Sequence, residues 1–331
     1  MLVLAGDVGG TNTRLALFQG SSLIFKWTCS SRQYGASYEA LAAFIKDAPI
    51  NSLAGLAACI AVAGVIEDST VARGTNIPWV IRCDRIRKET GIRHCTIIND
   101  FEAAAWGVTV LDRERSVQIG GNTPDPSGIK AVLGAGTGLG EALAVPGRDG
   151  SFIIVSTEGG HCGFAPESPQ EIELLSWLMQ RFGHVSVEHL LSGQGLVNIH
   201  TFLSGNPCSS IPDGPDHDRM APEITERALD GTDELCIKTV EMFCRIYGSE
   251  AGNLALKSLP SGGVYVAGGI APAILPFLKR GDFRTAFEDK GCMKKVLKNI
   301  PLLVVQEPDL GLIGAAVRAG MDSHNHPDSR L

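Results

Sequence analysis

Apolar residues run from Leu2 to Ala5, the chain turns through Gly9-Gly10, and apolar and polar positions alternate from Arg14 to Phe18. After a break at Gln19-Gly20-Ser21-Ser22 the alternation resumes from Leu23 to Thr28. Period-two segments punctuated by glycine and serine predict an antiparallel meander. Ser37 to Ile45 predicts a helix, and Leu56 to Ala63 predicts an apolar strand closed by Gly64. Cys95 to Ile98 predicts another strand that ends in Asn99-Asp100, and the alanine-rich Phe101 to Trp106 predicts a helix after it.

The pattern then restarts. Lys130 to Leu133 reads as a strand, followed by a glycine turn, a strand from Glu141 to Val145, a break from Pro146 to Gly150 and a strand from Ser151 to Val155. The chain therefore carries a duplicated strand, turn, strand unit. Helices are expected at Pro169 to Arg181, Val187 to Leu191, Glu223 to Leu229 and Thr232 to Leu256, and a strand at Val264 to Ala267 before Gly268-Gly269. Asn206 to Pro222, rich in Pro, Gly, Ser and Asp, predicts a mobile surface loop. A small-residue helix is expected from Gly311 to Ala319, with a disordered polar tail beyond Gly320.

At 331 residues the chain exceeds what one core usually serves, so two lobes are expected. Hydrophobic residues make up 44% and charged residues 20%, an ordinary globular balance. The formal charge of -7, with basic residues scattered, argues against a nucleic-acid footprint. An anion site on such a surface must use oriented backbone amides and a metal ion. Nine cysteines without a CxxC pair fit reduced thiols, and neither a basic n-region nor an apolar run of membrane-spanning length is present. The expectation is a soluble, cytoplasmic protein with no membrane partner; the terminal Ser329-Arg330-Leu331 approaches a peroxisomal tail, which we read as chance.

Two glycine-rich turns carry the chemistry: Gly6-Asp7-Val8-Gly9-Gly10-Thr11 and Gly134-Ala135-Gly136-Thr137-Gly138-Leu139-Gly140. Glycine there permits positive φ and close approach to an anion. A Walker A loop is excluded, because Glu141 stands after Gly140 and neither turn supplies the lysine; a dinucleotide GxGxxG is not spelled by either. What remains is a carboxylate in the first turn, Asp7, and a hydroxyl in the second, Thr137. That pair fits a triphosphate with Mg²⁺ held by Asp7 through water. Taken alone, Asp7 reads equally as a turn-forming residue, and Asp100 as an ordinary helix N-cap.

These turns, with Ile97-Ile98-Asn99-Asp100-Phe101, Glu158-Gly159-Gly160-His161, Gly183-His184-Val185-Ser186-Val187-Glu188, Val266-Ala267-Gly268-Gly269-Ile270 and Phe287-Glu288-Asp289-Lys290-Gly291, closely resemble bacterial-type glucokinase. The similarity runs from about residue 3 to about residue 320. It implies an α/β, two-lobed actin-like ATPase (ribonuclease H-like) fold with a central interlobe cleft. A small lobe 1–110, completed by a C-terminal helix 311–320, would pair with a large lobe 111–310, leaving a flexible tail 321–331. It implies ATP and Mg²⁺ as cofactors, D-glucose as substrate, a homodimer, and Asp100 as the base that takes the sugar hydroxyl proton. Asn99, Glu158, His161 and Glu188, with Asn76 as a weaker candidate, would contact sugar hydroxyls, since these side chains accept, donate or both. Gly6, Asp7, Val8, Gly9, Gly10 and Thr11 would face phosphate opposite Gly136, Thr137 and Gly138, and Gly268-Gly269 would pass the adenosine. The cysteine-rich zinc motif of the repressor-type sugar kinases is missing, so no structural zinc is expected. The competing readings are a kinase of another hexose or N-acetylated hexose, a sugar-sensing non-catalytic relative and a chaperone-like ATPase. The sensor is disfavoured because a first strand at Leu2 leaves no room upstream for a DNA-binding module, and the ATPase because no peptide-binding extension follows.

Overall fold

A computed structural model describes residues 1–74, 79–211 and 215–324, and the chain divides into two units, Met1–Leu111 with the segment from Asp309, and Asp112–Pro308. In the first unit the expected meander forms as β1 (Leu2–Val8), β2 (Asn12–Gln19) and β3 (Ser22–Ser30). β4 (Ala57–Val62), β5 (Gly64–Asp68), β6 (Val71–Gly74), β7 (Val80–Arg82) and β8 (His94–Asn99) follow. The main sheet has the order β3-β2-β1-β4-β8, antiparallel across the meander and parallel from β1 through β4 to β8. Every residue of β4 is buried, which is why it reads as an unbroken apolar run instead of an alternating one.

Two helices cover one region of this sheet. Asp100–Thr109 follows β8 directly, and Leu310–His324 packs against it. Their approach is set by small residues: a Cβ on Gly314 would stand 1.7 Å from the Ala103 carbonyl oxygen, and one on Gly107 would stand 2.5 Å from that of Leu310. Thr96 Oγ1 donates to Asp322 at 2.6 Å, tying the C-terminal helix to β8. The helix continues past the expected end near Gly320, and residues 325–331, including the Ser-Arg-Leu tail, lie outside the described residues.

The second unit repeats the plan with β9 (Ser116–Gly120), β10 (Lys130–Ala135), β11 (Leu139–Pro146), β12 (Phe152–Thr157), β13 (Gly263–Ala267) and β14 (Leu302–Val305). The order is β12-β11-β10-β13-β14-β9, so an antiparallel meander again continues into parallel strands. The longest helix, Glu234–Ser258, begins where Asp233 accepts the Leu235 and Cys236 amides at 2.9 and 3.2 Å. It carries Phe243 and Tyr247 into a core with Phe277, Phe283 and Phe287.

One expectation fails clearly. Residues 215–222 do not belong to a loop; they form the start of the helix Pro215–Leu229, with Pro222 inside it. Proline and acidic residues suggested a loop, yet Ala221, Ile224 and Ala228 supply a buried stripe that overrides the local propensity. Residues 187–191 form only a short 3₁₀ turn, Val187–His189. The small sheet β5-β6-β7 and the helix Cys83–Thr90 had no strong pattern in the sequence.

Gly314→Ala should lower the urea-unfolding free energy by about 3 kcal/mol, because backbone, not a flexible side-chain tip, blocks the new methyl. Gly320→Ala, in the same helix with nothing within 4 Å of its Cβ direction, should raise it by up to about 1 kcal/mol. Equal effects from the two would contradict the packing described.

Candidate functional site

In the first unit, β1 and β2 pair as far as Val8 and Thr13, and the chain reverses through Gly9, Gly10 and Thr11. Ser31 holds this turn from behind: its hydroxyl donates to the Gly9 carbonyl at 2.6 Å and its amide donates to the Thr11 carbonyl at 2.9 Å. The Thr13 and Ser31 hydroxyls bond at 2.9 Å. Gly6 and Val8 sit within β1, Val8 in the core and Gly6 where a Cβ would meet Ile60 Cδ1 at 2.7 Å. These two therefore have only backbone to offer a ligand.

Asp7 lies beside Arg14 across the β1–β2 pair, with Oδ2 3.4 Å from Nη1. Burial raises its carboxyl above the ordinary range, Arg14 opposes the shift and Asp309 adds to it. Lys26 in turn holds Asp309 with contacts of 2.9 and 2.8 Å. Asp7 and Asp309 are hard oxygen donors, opposed by Arg14 and Lys26, and among the described residues no group of three or more His, Cys, Asp or Glu could hold a metal alone. Mg²⁺ keeps several waters and draws on substrate phosphates, so Asp7 fits an ion carried mainly by a nucleotide.

At the end of β8 the structure separates two roles that the sequence left merged. Asn99, not Asp100, is the N-cap of helix Asp100–Thr109, its Oδ1 accepting the Phe101 and Glu102 amides at 2.8 and 3.4 Å. Asp100 is the first helical residue, and its Oδ1 accepts the Phe101 amide at 3.0 Å. The positive end of the helix favours the ionised carboxylate there. Asn99 thereby commits its oxygen to the helix, leaving the Nδ2 group as its donor.

In the second unit, β10 and β11 pair to Ala135 and Leu139, and the chain reverses through Gly136, Thr137 and Gly138. The Gly136 amide donates to the Gly138 carbonyl at 2.8 Å, and the Gly193 amide donates to the Gly136 carbonyl at 2.8 Å. Helix Gly193–Leu203, capped by Ser192, thus begins at this turn, and its positive end favours an anion nearby. The expected positive φ is not used: Gly9, Gly10, Gly136 and Gly138 all avoid it, whereas Gly268 adopts φ 79°. Glycine at 138 is needed for room, because a Cβ would lie 2.4 Å from Glu188 Oε2. At Gly268 both reasons apply, since a Cβ would stand 2.4 Å from the Ala135 carbonyl oxygen.

Three expected sugar contacts come together in this unit. Glu158 Oε2 lies 3.9 Å from His161 Nε2, and Glu188 Oε1 lies 4.0 Å from His161 Nδ1. Glu158 and His161 are exposed, while Glu188 is half-buried because its Oε2 accepts the Leu139 amide at 2.8 Å. Gly160 rests directly on β11, where a Cβ would meet the Leu139 carbonyl at 2.1 Å. Asn76 lies outside the described residues.

Behind the loop sits a carboxyl that sequence reasoning did not single out. Glu141 is 3% exposed, and its Oε1 has no hydrogen-bond partner in the protein. Its Oε2 occupies the space a Cβ on Gly159 would take. Burial, with Glu250 nearby and Lys257 opposing, pushes this carboxyl up to about 7.

A pocket of about 360 Å³ opens beside the second turn, lined by Gly136, Thr137, Gly193 and Gly269, by Leu196, Ile270 and Ala273, and by Ala221, Pro222, Thr225, Glu226 and Leu229. Its size and mainly apolar walls with a few polar groups suit a nucleoside. Of the wall from 221 to 229, the helix was expected from Glu223, and only Ala221 and Pro222 were assigned to the loop. The spacing of Ala221, Thr225 and Leu229, one face of a helix, was the available signal. Gly268 supports the pocket from the adjoining position.

A family model for glucokinase matches residues 4–321. Glucokinase from Synechocystis sp. is 39% identical over 345 residues, covering 96% of this chain and 97% of that protein. The crystal structure of a glucokinase from an Antarctic psychrotroph superposes with a TM-score of 0.82 at 30% identity, covering 98% of this chain and 99% of that one. A ROK family glucokinase from Streptomyces griseus, in complex with glucose and AMPPNP, shares the fold with a TM-score of 0.65 at 20% identity, covering 97% and 100%. The architecture is the two-lobed actin-like ATPase fold of these sugar kinases.

The Glu141 shift has a stability consequence. A carboxyl near 7 in the folded chain and at its ordinary 4.5 when unfolded makes the unfolded chain lose its proton first as pH rises, so stability falls across that window. Glu141→Gln should abolish a pH 5 to pH 8 loss of up to about 3 kcal/mol, measured by urea unfolding at both pH values; an unchanged pH dependence would contradict it. Gly268→Ala should destabilise the fold by about 2 kcal/mol or more. Gly138→Ala should leave the melting temperature nearly unchanged while lowering activity at least tenfold, since only the Glu188 carboxylate needs to move.

Proposed function

This chain belongs to the glucokinase family, and from that premise we propose how its residues transfer the γ-phosphate of ATP to D-glucose to give glucose 6-phosphate. Asp100 takes the proton of the sugar 6-hydroxyl as that oxygen attacks the γ-phosphorus; the bond from phosphorus to the bridging oxygen breaks, and ADP leaves. The observation that carries this reading is the division of labour at the end of β8. With Asn99 as the N-cap, the Asp100 carboxylate stands at the positive helix end with its Oδ1 on the Phe101 amide, where ionisation is favoured and general-base work is possible.

Glu158, His161 and Glu188 supply hydroxyl contacts, with Glu188 contributing Oε1 because its other oxygen holds Leu139. Asn99 contributes a donor. The Gly136–Gly138 turn and the start of helix Gly193–Leu203 receive phosphate oxygens, and the pocket walled by Ile270 and Leu229 takes the nucleoside. Gly9, Gly10 and Thr11 receive phosphate at the other turn. Magnesium, when bound, would neutralise charge on the triphosphate, and Asp7 is the residue that would hold it through water. Nine free cysteines, seven of them buried, suit the reducing cytoplasm, and no helix among the described residues is long and apolar enough to cross a membrane. A homodimer completes the reading by resemblance.

Asp100→Asn, which keeps an acceptor for the Phe101 amide, should lower kcat by about 10² to 10⁴ with the melting temperature unchanged. Turnover near that of the native enzyme would remove Asp100 from this role. A panel of sugars read by coupled ADP release should show glucose well ahead of fructose and of deoxy analogues, because a site built around hydroxyls penalises a missing one. Equal kcat/KM across the panel would exclude a glucose-directed site.

A further inference from the structure

We propose that Tyr247 is a positioning residue for the nucleotide, its buried hydroxyl joining the two strand ends that lead into the phosphate turn and the adenosine turn. The inference rests on the nucleotide assignment above and goes beyond it in naming a residue that touches no ligand. Tyr247 is 0% exposed. Its hydroxyl accepts the Ala135 amide at 3.0 Å and lies 3.5 Å from the Ala267 carbonyl, to which it donates. Ala135 ends β10 immediately before Gly136, and Ala267 ends β13 immediately before Gly268-Gly269.

The ladder between these parallel strands runs out at the pair Gly134 and Ala267. Beyond it the backbones still touch, since the Ala135 carbonyl fills the space of a Gly268 Cβ. The phenol takes over where sheet hydrogen bonding stops. Phe243 and Phe283 pack edge-on against the ring with centroids 5.7 and 5.6 Å away, fixing the hydroxyl's position. Burial, with Glu141 adding to it, holds the phenol above its ordinary range, so it remains a donor throughout the working pH range. Gly136 and Gly269 both line the nucleoside pocket. Loss of the hydroxyl leaves a buried amide unpaired, and the turns that relax to satisfy it are those that hold ATP.

Tyr247→Phe keeps the ring and removes one oxygen. The expected result is a rise of about tenfold in KM for ATP and in the calorimetric Kd for ADP, with KM for glucose within twofold of native. Phe287→Leu, which loosens the same core at a residue outside the ring contacts of Tyr247, should lower the melting temperature while leaving KM for ATP unchanged. A Tyr247→Phe enzyme with native nucleotide affinity, or one whose glucose and ATP constants rise together, overturns the proposal. Should that variant fail to fold, hydrogen exchange in the native chain decides: ADP should slow exchange at the Ala135 amide, and no change there overturns it. Turnover of ATP and glucose by the native enzyme tests the underlying reading separately.

Discussion

One hydrogen bond holds the second unit's chemistry in register: the Glu188 carboxylate accepts the Leu139 amide at the first residue of β11. It forms only because Gly138, next in line, has no side chain to exclude it. Leu139 closes the Gly136–Gly138 turn on one side, and its carbonyl supports Gly160 on the other. A single backbone residue therefore fixes two elements of the proposed site at once. Because a displacement of about 1 Å can cost two orders of magnitude in rate, such shared anchoring matters more for catalysis than its modest share of folding energy.

Shared anchoring also explains why acceptors promised by the sequence are only half available. Asn99 and Glu188 each commit one oxygen to a backbone amide. That commitment restricts the remaining atom to one direction, which is how a polar side chain gains selectivity between similarly placed hydroxyls. Asp100 follows the same rule, sharing the Phe101 amide with the Asn99 cap.

The sequence made the meanders, the parallel strands and the main helices legible, because buried central strands and period-two edges leave unambiguous patterns. The resemblance grouped Glu158, His161 and Glu188, and the structure sets the two carboxylates 3.9 and 4.0 Å from the His161 ring nitrogens. Hidden were features that depend on three-dimensional neighbours. Glycine at Gly138 reads as conformational freedom until Glu188 appears beside it, and Pro222 reads as a helix breaker until Ala221, Ile224 and Ala228 are seen buried. Glu141 looks like an ordinary polar residue after a glycine turn, yet β11 turns it inward beneath Gly159.

The two units repeat one backbone plan but back it with different chemistry. Ser31 and Thr13 hydroxyls brace the first turn beside the ion pairs Asp7–Arg14 and Asp309–Lys26. The second turn is braced by a buried phenol and a helix N-terminus, with Thr137 as its only polar side chain. Backbone dipoles of this kind attract anions without carrying a counter-charge of their own. A chain of net charge -7 cannot draw a triphosphate by its overall field. The repeated plan supplies two turns, and the side chains behind them give one turn paired charges and the other backbone dipoles.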